Sequence, residues 1–309
     1  MSRPPGPVTS ARVRVPATSA NLGPAFDCAG LALSRYDVLE FAVLPSGLEV
    51  AVSGIGAGEL PTDESHLVVR AFRAACRELG WSPTGLRVTA ENGIPQGRGM
   101  GSSAAAVVAG VVAAWALCPD VEGIDDDAVL RLTSELEGHP DNVAPCLLGG
   151  ATLSWCAPEG ARAVRLEVAA AVHPVVLVPE ATLSTHVARG LLPDAVPHDD
   201  AVFNAIRSAL LVHALTSDPA MLLDATDDRL HQRQRSFAMP DSLALIDRLR
   251  GHGHAAVVSG AGPSVLVLGP ENALPEVTRL TPAGWSVLGL EVDTAGTRVL
   301  AGAPGVSSR

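Results

Sequence analysis

The strongest constraint on this chain is the segment 96–106, Gln-Gly-Arg-Gly-Met-Gly-Ser-Ser-Ala-Ala-Ala, which runs unbroken into an alanine- and valine-rich stretch. Glycines at 97, 99 and 101 permit positive φ and close backbone approach to a ligand. Ser102 and Ser103 are suitable N-cap residues for a helix over about 102–117. That helix is apolar nearly all round, so it belongs in a core. A helix N-terminus offers unpaired amides and a partial positive charge, which suits phosphate. Pattern alone leaves equal room for a flexible loop followed by an ordinary helix cap.

The chain contains no lysine; all 22 basic residues are arginine. A Walker-type phosphate loop and a Schiff-base enzyme both require lysine, so both are excluded. A Rossmann loop also fails, because two serines follow the glycines and the flanks do not read βαβ. Backbone donors and Arg98 remain to supply the positive field, and a serine hydroxyl can join Mg²⁺ beside phosphates. The net charge of −11 gives no general attraction to nucleic acid or anionic membranes. Hydrophobic residues at 47% against 18% charged residues exclude a mainly disordered chain. No run of about 20 apolar residues lacks charge or proline. The proline-rich residues 1–11 read as a flexible lead-in to a cytoplasmic protein. Cys28, Cys76, Cys118, Cys146 and Cys156 are odd in number and form no Cys-x-x-Cys motif. They read as reduced thiols, not a disulfide frame or zinc site.

The 309 residues suit two modest domains. Alternation predicts a strand at 12–15, a turn at 16–21, and a hairpin of 38–44 with 48–52 around Pro45-Ser46-Gly47. Asp63 or Ser65 would cap a helix with an apolar face from Leu67 to Leu79. Strands at 86–90 and 151–155 flank the loop, its helix and a second helix ending near Glu137. Punctuation at 158–160 suggests a boundary. Beyond it, strands near 164–168, 172–178, 255–259, 265–268 and 285–292 mix with helices near 202–215, 221–230 and 243–251. This order, without strict βαβ alternation, predicts an α+β fold.

Four segments in this order carry a resemblance. They are Val15-Pro16-Ala17-Thr18-Ser19-Ala20-Asn21-Leu22-Gly23-Pro24-Ala25-Phe26-Asp27, then 95–106, then Glu137-Gly138-His139-Pro140-Asp141-Asn142-Val143-Ala144-Pro145, and finally Ser259-Gly260-Ala261-Gly262-Pro263-Ser264. Together they resemble the GHMP superfamily, which holds galactokinase, homoserine kinase, mevalonate kinase and phosphomevalonate kinase. The third segment resembles homoserine kinases in particular, and the likeness spans about 12–300. It implies an N-terminal ATP-binding domain over 12–160 like domain 2 of ribosomal protein S5, and a ferredoxin-like domain over 161–309. It also implies transfer of the ATP γ-phosphate to the side-chain hydroxyl of L-homoserine, in threonine biosynthesis, with Mg²⁺.

Residue roles follow from the same resemblance. Pro95, Gln96, Gly97, Arg98, Gly99, Met100, Gly101, Ser102 and Ser103 would hold the nucleotide, with Gly260 and Gly262 shaping a turn against it. Ser102 and Glu135 would hold the metal, Glu137 being the competitor for that place. Asn21, Asp27, His139, Arg189 and Arg235 would bind the amino acid. Asp27 suits its ammonium, and Arg189 and Arg235 its carboxylate. Arg233 competes with Arg235, because the family's proline and tyrosine are here Arg233 and Gln234. Asn142 and Arg189 would act in catalysis. Asn142 stands where a relative uses aspartate, and Asp141 is expected to point elsewhere, so no strong general base is expected. Ala25 departs from the family's glycine and Cys28-Ala29 from its small-large pair, which keeps a related hydroxylated amino acid in view as acceptor. A catalytically silent nucleotide-binding regulator is the other alternative. Such enzymes often dimerise, and an uncovered sheet edge could drive a homodimer.

Overall fold

The computed structural model describes residues 9–300; residues 1–8 of the expected lead-in lie outside them. Period-two burial builds the first sheet from β1 (Ser10–Ala20), β2 (Ala29–Leu44) and β3 (Gly47–Gly54). After α1 (Leu67–Glu78) comes β4 (Gly85–Asn92), then α2 (Ser102–Leu117), α3 (Asp126–Glu137) and α4 (Val143–Leu148). A hairpin of β5 (Ala151–Ala157) and β6 (Gly160–Leu166) rejoins the same sheet through β2. The second sheet is antiparallel and uses β7 (His173–Pro179), β8 (Ala255–Val258), β9 (Val265–Gly269) and β10 (Trp285–Gly289), in the order β10-β7-β9-β8. Between β7 and β8 run α5 (Thr185–Gly190), α6 (His198–Thr216), α7 (Leu222–Ala225) and α8 (Pro240–Gly251), and α9 (Leu274–Leu280) precedes β10. The last strand, β11 (Arg298–Leu300), returns to the first sheet beside β1.

The fold is mixed α and β, with sheets that are antiparallel except where β3 meets β4. Helix α2 is buried along most of its length, as its uniform apolarity requires. It crosses α1 closely at Gly110, where an added Cβ would lie 2.5 Å from Val68 O. One apolar cluster runs from Val13, Leu31 and Val108 through Val176 and Leu211 to Val257 and Leu266, so the two sheets share a core.

Several sequence expectations change. The strands expected as a hairpin, β2 and β3, do not pair; β4 lies between them, antiparallel to one and parallel to the other. All three have the same alternation, so periodicity carries no information on which two are neighbours. The strand at 12–15 continues to Ala20 past a register shift at Pro16 and Ala17, replacing the expected turn. Helix α1 is capped by His66, whose Nδ1 accepts from Val68 N, rather than by Asp63 or Ser65. The helix expected over 221–230 stops at Ala225. The Asp228 carboxylate there accepts from the amides of Leu230, His231 and Gln232, which stabilises a loop instead of another turn. The punctuation at 158–160 is the turn of the β5–β6 hairpin inside the first sheet.

Candidate active site

The glycine loop is clamped from three sides. Gly97, Gly99 and Gly101 have φ of 62°, 68° and 69°. Gly101, not a serine, takes the cap position of α2, and no side chain caps the helix. Ser102 and Ser103 therefore begin the helix, beside its free amides. A Cβ on Gly101 would overlap Thr18 Oγ1, and one on Gly99 would overlap Ser259 O. Thr18 N donates to Met100 O at 3.1 Å, Ser259 Oγ donates to Gly99 O at 2.6 Å, and Leu183 N donates to Gly97 O at 2.9 Å. Arg98 departs from expectation. Its guanidinium donates to the carbonyls of Pro179, Glu180 and Gln96, so it ties the loop to the end of β7 and faces away from the cavity. Gln96 lines a separate cavity of about 310 Å³ with Asp37, His66 and Asn92.

Asp37 and Thr18 were not picked out by sequence reasoning. The buried Asp37 carboxylate accepts from Gly93 N at 2.7 Å and Ile94 N at 2.9 Å, fixing the chain just ahead of the loop. A signal existed: position 37 falls on the inward register of β2 with Leu39 and Phe41, where a charge is out of place. Burial pushes the Asp37 carboxyl up to about 6.

A cavity of about 180 Å³ opens beside the loop, lined by Pro95, Gly97, Gly99, Met100, Gly101, Ser102 and Ser103 on one side. The end of α3 and the turn after it supply Glu137, His139, Asp141 and Asn142 to the opposite side. Glu137 Oε2 accepts from Ser103 Oγ at 2.8 Å, and burial raises its carboxyl above the usual range. Glu135, the choice made from sequence, is exposed and outside the cavity. Two residues along a helix turn a side chain to another face, and α3 presents position 137 to the loop. Asp141 does not point elsewhere as expected. It is buried in the cavity wall and accepts from His139 Nδ1 at 2.6 Å. That bond raises the His139 pKa. Asn142 Oδ1 accepts from Thr18 Oγ1 at 2.9 Å.

The third wall brings Asn21, Arg189, Arg235 and Gly260 to the same cavity. Asn21, Leu22 and Asp27 have φ of 72°, 45° and 57°, left-handed values that are uncommon outside glycine. Asn21 holds this turn together: its Nδ2 donates to Gly260 O at 2.8 Å and its Oδ1 accepts from Asp27 N at 2.9 Å. Asp27 and Arg189 form a two-bond ion pair at 2.7 and 2.9 Å. Arg235 is 1% exposed, while Arg233 lies on the surface paired with Asp247. Gly262 turns the chain below the loop, where a Cβ would lie 2.6 Å from Met239 Sδ. Ala25 is buried outside the cavity lining and is not among the residues with positive φ, so its methyl is accommodated.

Across a small cleft the glycine-shaped helix start faces a carboxylate, an imidazole and two arginines. Residues 66–150 match the family model described as "GHMP kinases N terminal domain", which places the chain among the small-molecule kinases of that class. Homoserine kinase of Streptomyces avermitilis is 52% identical over 97% of this chain and 99% of its own length. That of Clavibacter michiganensis subsp. michiganensis is 52% identical over 93% of each chain. The crystal structure of homoserine kinase from Cytophaga hutchinsonii superposes with a TM-score of 0.84 at 26% identity, over 97% of this chain and all of that one. Mevalonate diphosphate decarboxylase from Staphylococcus aureus, at 13% identity and a TM-score of 0.67, shares the fold. The chain belongs to the homoserine kinase family.

Proposed function

We propose that this protein transfers the γ-phosphate of ATP to the side-chain hydroxyl of L-homoserine, forming O-phospho-L-homoserine in threonine biosynthesis. The observation that carries this reading is the Asp27–Arg189 ion pair, whose arginine lines a cleft that the glycine loop also lines. An amino-acid zwitterion can enter that pair with its ammonium on Asp27 and its carboxylate on Arg189 and Arg235, exchanging one ion pair for two. Its side-chain hydroxyl then faces the loop. The names of the relatives from Streptomyces avermitilis and Clavibacter michiganensis support the same acceptor.

The free amides at the start of α2 and the backbone of 97–101 would cradle the triphosphate. The cavity of about 310 Å³ on the other side of Ser102 and Ser103 has room for the nucleoside. Mg²⁺ fits the residues present. Glu137 and Ser103 stand together at the helix start, and Mg²⁺ keeps water and phosphate oxygens for most of its shell. A cation there would offset the burial of the Glu137 carboxylate. When bound, it would neutralise charge on the phosphate oxygens.

Phosphoryl transfer has a loose transition state, so positioning and electrostatics carry most of the catalysis. The Asp141 bond raises the His139 pKa, and the imidazole would act as a donor to developing negative charge. Asn142, oriented by Thr18, would face the acceptor hydroxyl. The first sheet with its helices corresponds in this reading to the ribosomal protein S5 domain 2-like ATP-binding unit, and the second sheet to the ferredoxin-like unit. A homodimer in the cytoplasm remains the expectation for the assembled enzyme; among the described residues no helix is long and apolar enough to cross a membrane.

Mass spectrometry of the product tests the reading directly. Incubation with ATP, Mg²⁺ and a panel of hydroxylated amino acids should yield phosphorylated homoserine as the dominant product. Faster phosphorylation of another acceptor, or ATP binding with no product at all, would refute it.

A further inference from the structure

The chain that positions Arg235 contains a histidine that touches no part of the cavity. His231 is 0% exposed and sits four residues before Arg235, just ahead of the short 3-10 helix that carries it. Its Nε2 lies 2.8 Å from Gly23 O, and its Nδ1 lies 3.2 Å from Arg235 Nη1. Both neighbours are chemically one-sided. A carbonyl can only accept, so Nε2 must carry the hydrogen; a guanidinium can only donate, so Nδ1 must be bare. The ring is thereby fixed as the neutral Nε2–H tautomer.

This single ring joins the two segments on which the acceptor reading depends. Gly23 begins the turn that carries Asp27, and no side chain fits there, because a Cβ would lie 2.5 Å from Thr226 O. Phe26 packs against His231 at 4.9 Å between ring centroids with the rings tilted by 33°, and the Arg235 guanidinium lies 5.2 Å from the same Phe26 ring. The segment is itself anchored: Asp228 accepts from three successive amides and from Asn204 Nδ2, and Gln232 Oε1 accepts from Val258 N at 2.6 Å. Arg235 Nε has no partner among the described residues, so the guanidinium keeps donor capacity for a ligand.

We propose that His231, bonded between the Gly23 carbonyl and Arg235, is the positioning residue that aims the Arg235 guanidinium at the acceptor's carboxylate and keeps it in register with Asp27. The inference rests on the acceptor reading above. Without the Nδ1 acceptor, Arg235 would lose its side-chain hydrogen bond, keeping one long bond of 3.5 Å to Gly260 O and its contact with the Phe26 ring. The charged groups facing the ring are Asp228, whose Oδ2 is 3.8 Å from Nε2, Arg235, and Asp27 at longer range. Burial outweighs the two carboxylates and lowers the His231 pKa, in keeping with a ring that stays neutral.

Three substitutions separate this role from packing. His231→Leu removes both bonds, His231→Asn places Oδ1 where Nδ1 was, and His231→Gln keeps a donor towards Gly23 alone. The expected result for His231→Leu is a KM for homoserine raised by about tenfold or more, with kcat and the KM for ATP within about threefold. His231→Asn should recover most of that loss and His231→Gln little of it. An unchanged homoserine KM in the leucine variant overturns the proposal. If that variant does not fold, a glutamine variant better than the asparagine variant overturns it equally. Nitrogen NMR of the wild-type ring gives a readout independent of turnover. A bare Nδ1 that shifts on Arg235→Gln substitution supports the contact, and a doubly protonated ring at neutral pH refutes it. Failure of wild-type enzyme to phosphorylate homoserine would instead count against the acceptor reading.

Discussion

The proposed metal position shows what a single residue can and cannot disclose. Glu135 and Glu137 carry the same chemistry two positions apart, and only the placement of α3 turns Glu137 onto Ser103. Glu137→Ala should lower Mg²⁺-dependent activity by about 100-fold, while Glu135→Ala should stay within about twofold, on the usual scale for losing a charge-stabilising group; titrating Mg²⁺ against rate decides between them. Asp141→Asn should lose no more than about 100-fold, since the side chain serves His139 and not the hydroxyl proton. A loss of several orders of magnitude in a folded variant would identify Asp141 as a base. Asp37 leads to a pH prediction. Its folded pKa of about 6 stands above its ordinary 3.8, so its contribution favours the fold below the lower value and is lost as pH rises through the upper one. Between about pH 4 and pH 7 the wild type should lose up to about 3 kcal/mol relative to Asp37→Asn, measured by denaturant unfolding at both pH values. Arg235 was legible from its motif, whereas its partner His231 was not, because a histidine's tautomer depends on two neighbours distant in sequence.

Among the elements, the glycine loop and the buried helix after it were legible almost completely, because glycine spacing and an all-apolar helix are local properties. The cap was not: three glycines with positive φ leave Gly101 in the position a serine would otherwise take. Gly101→Ala should therefore abolish most activity and cost about 1–3 kcal/mol of stability, combining left-handed strain with the overlap on Thr18; kcat and a thermal melt measure the two effects separately. The order of four motifs, with polar types matched to an amino acid and a nucleotide, was equally visible. Strand neighbours were not, since β2, β3 and β4 alternate alike and their pairing depends on the crossover through α1. The stop of α7 at Ala225 was also hidden, because helical periodicity continues past it until Asp228 captures the next amides.

At the scale of the whole molecule, the two sheets share an apolar cluster, and the segments leaving β1 and β8 both reach the cleft. Unfolding should follow a single cooperative transition, and ATP with Mg²⁺ at about 100 times its dissociation constant should add about 2.7 kcal/mol. Two separate calorimetric transitions would contradict that coupling. The placement of β11 has a consequence for how the protein is made. Arg12, Val13 and Arg14 of β1 pair with residues 298–300, so translation makes one strand of this pair long before the other. The β1 edge therefore stays open until β11 has been made, and the nascent chain has reason to engage a chaperone until then.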